Sequence, residues 1–393
     1  MPKKKSKKDT SQQPAVMISM TPNADDSERE STGILSLDAA LGGGVPYGSV
    51  VLIGGREDAG KTNMALHIVA NAVRKGYRAL YFDVENRLLL NKSRFTARRL
   101  TPDEMARIEI VPAENAIENI ANHIRARLTS GDDAPRVIVI DSIASLHTKS
   151  LRLLRAQLQE ASAGIGSTAR AITDETKDLF TYYALQYKVL FVLTTQLRSA
   201  ISGAQPHTEM YGARYIRHIA GTIIKLNTIK PPTLDIDDPI PQHITYKNDT
   251  VAKEVYSFIS ATLEKSQLSE FGAKFSVVTR MFLLTIPNLG IYIGDYDPLL
   301  EIVMYGRYRD GGFVAREGDK FILKHTGTTF TLREAYANPE LREQIIAESK
   351  PEMYQLFKRI VTNYINNKLG IVGAQQTIPD VDVEEGGEGG DAE

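Results

Sequence analysis

The 393-residue chain contains no cysteine, which excludes disulfides and thiolate metal sites and fits a reducing compartment. No apolar run approaches the ~18 residues needed to cross a bilayer. The Met-Pro-Lys-Lys-Lys start has no apolar segment after it, so neither a membrane partner nor a secretory signal is expected. The expected location is cytoplasmic. An excess of one charge is missing too: 47 Lys and Arg face 48 Asp and Glu, a net charge of −1, so overall charge gives no hint of nucleic acid. What charge there is, however, is unevenly placed. Lys3, Lys4, Lys5, Lys7 and Lys8 crowd the first ten residues, whereas from Thr377 onward the charged residues are all acids: Asp380, Asp382, Glu384, Glu385, Glu388, Asp391 and Glu393. Opposite tails on a near-neutral body fit a regulated polyanion binder, and equally a pair of solubilising tails.

Hydrophobic content of 42% and charged content of 24% are ordinary for a globular protein. Residues 1–30 are polar except for Val16–Met20, a lone strand that must pair elsewhere in the chain or with another subunit. From Ser31 strands and helices alternate. Ser49–Gly54, Tyr77–Val84, Ile108–Val111, Arg136–Asp141 and Val189–Thr195 read as strands; Lys61–Lys75, Asn115–Leu128 and Ile172–Tyr187 read as helices. Continuous β-branched runs separated by helices predict an α/β fold with a mostly parallel sheet covered on both faces. Four further strands, Ala220–Leu226, Val255–Leu263, Lys274–Val278 and Arg280–Ile286, predict an antiparallel finish. Lys230–Lys253, rich in Pro and Asp, is expected to be a surface excursion. The organisation expected is a basic tail with a lone strand at 1–30, a core at 31–296, a small C-terminal α/β domain at 297–370 with a hairpin at Gly312–Leu323, and a disordered acidic tail at 371–393.

Gly55-Arg56-Glu57-Asp58-Ala59-Gly60-Lys61-Thr62, followed by Asn63, matches the G-x-x-x-x-G-K-[ST] phosphate loop between a predicted strand and a predicted helix. Glycines let the backbone wrap a triphosphate, the helix N-terminus adds its positive end, Lys61 neutralises the β- and γ-phosphates, and the Thr62 hydroxyl ligates Mg²⁺. Four fixed positions recur by chance about once in a hundred chains this long, and the strand–helix context lowers that further. Asp141 leaves the C-terminal edge of an apolar strand, where it is placed to hold a Mg²⁺-bound water, or else to cap a helix. Glu85 ends an adjacent strand and is favoured over the deeper Asp83 as the base that orients the attacking water; a structural salt bridge is the other reading. Gln196, at the end of a third strand, is a γ-phosphate sensor candidate.

These residues in this order resemble the RecA-type DNA recombinases. The resemblance begins at Ser31–Asp38 and Leu41–Gly48 and runs through the phosphate loop, Glu85, Asp141-Ser142 and Thr195–Arg198 to about Ile286. Gly311–Val314 and Glu264-Lys265-Ser266 look most like the phage-type branch. The resemblance implies a RecA-like P-loop ATPase core, ATP and Mg²⁺ as cofactors, and a homo-oligomeric helical filament on single-stranded DNA that pairs it with homologous duplex DNA. Single-strand-binding or mediator proteins are further candidate partners. It also implies two DNA-gripping loops. The first lies within His147–Ala169, with Lys149, Arg152 and Arg155, and Arg170 just beyond; the second is Arg198–Arg217, with Arg198, Ile201, Gly203, Gly212, Arg214 and Arg217. Lys265 is implied as a catalytic residue reaching the neighbouring subunit's γ-phosphate, Val16–Met20 as a subunit-docking strand, and the acidic tail as a restraint on duplex access. The aromatic residue that stacks on adenine in bacterial members has no match in Asn86–Lys92. Two other readings share the core: a recombination mediator or filament cap without useful turnover, and a ring-forming helicase motor.

Overall fold

A computed structural model describes residues 28–88, 98–148, 177–202, 205–210, 214–245, 252–266, 275–307 and 311–368. Its centre is a nine-stranded sheet. In chain order the main elements are α1 (Leu35–Ala40), β1 (Val50–Gly55), α2 (Lys61–Arg74), β2 (Ala79–Asp83), β3 (Ile108–Pro112), α3 (Ile117–Leu128), β4 (Val137–Asp141), β5 (Leu190–Ser202), β6 (Gln205–Met210), β7 (Thr222–Ile229), β8 (Tyr256–Ser266) and β9 (Phe275–Phe282). Across the sheet the order is β9-β8-β7-β1-β5-β4-β2-β3, with β6 folded back on the outer half of β5. The strands from β7 to β3 run parallel, and β8 and β9 are antiparallel to their neighbours.

Both faces are covered, and the pleat shows it. Val51, Ile53, Tyr81, Val139 and Val192 belong to one apolar cluster, whereas Val50, Leu52, Leu80, Phe82, Ile138, Ile140 and Phe191 belong to another. Alternate residues on each strand serve opposite layers, which is why the strands read as unbroken apolar runs. The helix α2 presents Met64, Ala65, Ile68, Val69, Ala72 and Val73 to the first layer; α3 presents Ile117, Ile120, Ala121 and Ile124 to the second.

The antiparallel end differs from expectation in one respect. Lys274–Val278 and Arg280–Ile286 are not two strands separated at Thr279, because β9 passes straight through, with Thr279 opposite Ile259 and Arg280 opposite Phe258. Thr279 and the Arg280 beside it are both fully buried and bonded. The Arg280 guanidinium donates to Asp297 (Nε–Oδ2, 2.7 Å), Tyr336 (2.6 Å) and Asp238, and lies over the Tyr256 ring. Asp238 comes from the Lys230–Lys253 segment, so that segment is more than a surface excursion: Ile240 beside it is buried, and His243-Ile244 pairs with Lys253-Glu254. A buried guanidinium needs carboxylate partners, and this segment supplies one.

Beyond β9 come α4 (Pro298–Gly306), a hairpin of Val314–Glu317 and Lys320–Leu323 joined by Thr329-Phe330, α5 (Leu332–Ala337) and α6 (Pro339–Lys368). Asp297 caps α4 through the Leu300 N–H (3.2 Å), and Thr331 and Glu334 form a capping box on α5. Leu299, Ile302, Met353 and Leu356 join the same apolar cluster as Leu35 and Leu37 of α1.

Glu301 of α4 is sealed in this contact, accepting the Ser36 N–H (2.6 Å) and the Thr279 hydroxyl (2.6 Å). Burial pushes its carboxyl up to about 7, with nearby Asp297 adding to the push and the two hydrogen bonds opposing it. The folded chain therefore keeps a proton that the unfolded chain releases from its ordinary value of 4.5 upward, so this contribution is full at low pH and fades as pH rises towards neutrality. Between pH 5 and pH 8 we expect the wild type to lose on the order of 3 kcal/mol from this group, and Glu301→Gln to show a shallower decline. Equal slopes of denaturation midpoint against pH for the two proteins would refute this.

Candidate functional site

The three parallel strands β1, β2 and β4 end at the same edge of the sheet, and β5 continues past it. Gly55 stands opposite Gln196 across β1 and β5, and Asp83 stands opposite Asp141 across β2 and β4. Residues that leave these strands must meet at one rim. They do: Lys61, Thr62, Glu85, Asp141 and Gln196 line a single cleft of about 230 Å³.

The loop Gly55–Thr62 forms the floor. A Cβ on Gly55 would lie 2.8 Å from the Leu226 carbonyl oxygen of β7, closer than side chains tolerate. Gly60 takes φ 91° just before α2, a conformation that side chains resist. These two requirements explain glycine at both ends of the motif. Asp58, also left-handed at φ 56°, and Glu57 line the cleft; Ala59 is buried and Arg56 is exposed. Lys61 folds back to donate from Nζ to the Arg56 carbonyl (2.5 Å). Burial pulls its ammonium down, with Asp141 and Glu85 opposing and Arg87 adding to the fall.

At the rim the Thr62 hydroxyl donates to Asp141 Oδ2 (2.7 Å), which also receives the Tyr81 hydroxyl (2.8 Å), while Thr194 donates to the other oxygen. Three hydroxyls thus fix the carboxylate. Glu85 Oε1 accepts Ser142 Oγ (2.6 Å) and Ser145 Oγ (3.1 Å), and Oε2 pairs with Arg87 Nε (2.9 Å). Asp83 is placed otherwise: both its oxygens accept backbone N–H groups, of Arg87 (2.9 Å) and Leu88 (2.8 Å). It holds the turn that presents Glu85.

The far wall was not legible beforehand. Met281 and Phe282 at the end of β9, with Leu283, Ile293 and Gly294 after it, face the phosphate loop. Asn63 is tied to this wall through the Gly294 carbonyl (2.8 Å) and through Arg98. No short motif marks these residues; they reach the cleft because β9 ends beside α2, more than two hundred positions away in sequence.

Other expected residues lie elsewhere. Lys265 does not line the cleft. Its Nζ donates to the Arg217 and His218 carbonyls (3.1 and 2.9 Å) at the end of helix Arg214–Ile219, and Arg217 faces Glu264 at 3.7 Å. Arg198 and Ile201 sit on the outer half of β5, opposite Glu209 and Pro206 of β6. The second expected loop is therefore, in its described part, a β-hairpin rooted one residue beyond Gln196, followed by the helix that Arg214 begins. Lys149, Arg152, Arg155, Arg170, Gly203 and Gly212, the Val16–Met20 strand and the acidic tail fall outside the described residues.

Among the described residues no cluster of three or more His, Asp or Glu could enclose a metal. One hydroxyl and one carboxylate, Thr62 and Asp141, instead suit a cation that keeps several waters and takes its remaining oxygens from phosphates. A doubly covered parallel sheet with a phosphate loop after its central strand, and carboxylates leaving the neighbouring strands, defines a P-loop nucleotide-binding protein.

Comparison with known proteins narrows this. Residues 5–232 match the model of the RecA N-terminal domain, more than half of the chain, and the chain belongs to that family. It is 36% identical over 206 residues to Protein RecA of Clostridium acetobutylicum, covering 51% of this chain and 55% of that protein. It is 46% identical over 122 residues to Protein RecA of Bifidobacterium breve, covering 30% and 29%. It is 29% identical over 221 residues to Protein RecA of Fusobacterium nucleatum, covering 55% and 54%. The chain thus spans between 29% and 55% of the length of these curated relatives.

Proposed function

We propose that this protein is a DNA-dependent ATPase of the recombinase type, which assembles as a helical filament on single-stranded DNA and pairs it with homologous duplex DNA in the cytoplasm. One observation carries the reading: Lys61, Thr62, Glu85, Asp141 and Gln196 surround one cleft, and the strand that brings Gln196 there runs on into a hairpin. A polar group at the γ-phosphate and a nucleic-acid grip then share one rigid strand, so nucleotide state and hairpin position are mechanically linked. The family membership supports the same reading.

In this scheme Lys61 leaves the Arg56 carbonyl for the β- and γ-phosphates. Thr62 and Asp141 would hold Mg²⁺, which would neutralise charge on the phosphates. Glu85, oriented by Ser142 and Ser145, accepts a proton from the attacking water. Gln196 contacts the γ-phosphate. Met281 and Ile293 give the adenine an apolar surface, taking the place of the missing aromatic. Lys265, remote from its own cleft, is available to a neighbouring subunit. The division into a core and a smaller C-terminal domain near Asp297 belongs to the same proposal.

The direct test is ATP turnover with and without single-stranded DNA. Stimulation by DNA is expected, and rates unchanged by DNA would count against a recombinase. Lys61→Ala is expected to lower turnover at least a hundredfold, because the Lys61 ammonium at the start of α2 faces the transferring phosphate; binding of a fluorescent ATP analogue checks whether the loss is in affinity. Closed rings in electron micrographs would favour a helicase motor, and absence of strand exchange by the purified protein would favour a mediator.

A further inference from the structure

Arg87 is unexplained by the scheme above, yet it stands inside the cleft. Its Nε pairs with Glu85 Oε2 at 2.9 Å and its NH2 with Glu57 Oε1 at 3.2 Å, so one guanidinium bridges the proposed base and the phosphate loop. Both carboxylates line the cleft, and two negative groups beside a phosphate site repel the anion that the site is built to hold. Arg87 is what offsets them.

Three features make the bridge exchangeable. The Glu57 side chain is 71% exposed and that of Arg87 45%, so that arm of the bridge is weak, whereas Glu85 is only 17% exposed and its arm is the firmer one. The backbone beneath Arg87 is fixed, because its own N–H and that of Leu88 are both held by Asp83; the long side chain can move while its root stays. The charge also sits in the right place. Burial lowers the Lys61 ammonium, Asp141 and Glu85 oppose this, and Arg87 adds to the fall, so the guanidinium is felt where the terminal phosphates bind.

We propose that Arg87 is a γ-phosphate sensor acting within its own subunit: it bridges Glu57 and Glu85 in the empty cleft and exchanges these carboxylates for the γ-phosphate when a nucleoside triphosphate binds. The exchange replaces an exposed pair with Glu57 and a part-buried pair with Glu85 by charge-assisted bonds to a more highly charged group. It also frees Glu85 Oε2 to face water at the moment when a γ-phosphate is present. A diphosphate, ending one phosphoryl group short, leaves the bridge in place.

This inference rests on the nucleotide-binding reading of the cleft, and the experiment separates the two. Full-length wild type and Arg87→Ala are titrated with fluorescent ADP and with a fluorescent non-hydrolysable ATP analogue. Loss of a hydrogen bond to a charged group predicts about a ten- to hundredfold weakening for the ATP analogue, with ADP changed less than about threefold, and Arg87→Lys in between. Glu57→Gln, which removes a competing carboxylate, is expected to tighten the ATP analogue more than ADP in the wild-type background, and to tighten both equally in Arg87→Ala, where only the lost repulsion remains. Equal weakening of both nucleotides would mean that Arg87 only shields the two glutamates, and no change in either that it does not act on the nucleotide at all; with either result the sensor would be abandoned. Wild-type protein that binds neither nucleotide would overturn the parent reading and this one together. Wild type that binds both, with Arg87→Ala keeping the same ATP-over-ADP preference, would overturn this one alone.

Discussion

Glu85→Gln is expected to lower DNA-stimulated ATP turnover by about a hundred- to ten-thousandfold while leaving ATP binding within a few-fold of wild type. The range is that of a positioned general base. The substitution keeps an oxygen that can accept the Ser142 and Ser145 hydroxyls, so the local structure survives. What it removes is the ability to take a proton from water, and that enters only the rate. Because ATP persists, protein–DNA complexes should outlast those of the wild type once free ATP is removed. Steady-state turnover together with equilibrium binding provides the check. Turnover within tenfold of wild type would take the base role away from Glu85. Asp83→Asn is expected to differ in kind, because Asp83 holds the turn through two N–H groups and does not face the cleft. Its effect should appear first as lost stability.

The other large effect is on stability. Arg280 is fully buried on β9 and bonds to Asp297, Asp238 and Tyr336. Asp297 and Tyr336 surround its charge, and Tyr336 also donates to Asp297 Oδ2 at 2.6 Å. The network pins three stretches that are distant in sequence: the 230–253 segment, the end of the sheet, and the elements after it. Arg280→Met is expected to cost about 3–5 kcal/mol, since Asp297 is stranded in the interior without its cation. Adding Asp297→Asn should recover part of this loss, because asparagine caps α4 as well as aspartate does and carries no charge. Denaturant midpoints of the wild type and of the single and double variants decide it; a loss below about 1 kcal/mol for Arg280→Met would show that the network contributes no more than a surface pair.

That buried network shows where reading the chain by itself stops. Thr279 resembles a break between two strands, and Asp238 resembles a residue of an exposed loop, because a polar residue in sequence is most often a solvated one. Arg280 can be buried because Asp297 and the part-buried Asp238 supply its countercharge. The division between Asp83 and Glu85 was legible in part, since the one sits deeper in the strand and the other at its exit. That Asp83 grips the Arg87 and Leu88 N–H groups depends on how the turn closes, which no spacing reports.

Local chemistry was determined by the sequence alone: unbroken β-branched runs for strands buried on both faces, a glycine-framed loop ahead of an amphipathic helix, and acids placed where strands end; Gln196, expected at a strand end, instead lies within Leu190–Ser202. Each is set by neighbours a few positions away, so each can be read along the chain. Only the tertiary structure decided which distant groups share the cleft: Met281 and Ile293 as its wall, Arg87 between two glutamates, Lys265 turned away from it, and the chain beyond Gln196 as a hairpin. Most of those contacts join residues tens to hundreds of positions apart, among them Arg87 with Glu57 and the β9 end with the phosphate loop, and their pairing is fixed by strand order and register, which no local pattern encodes.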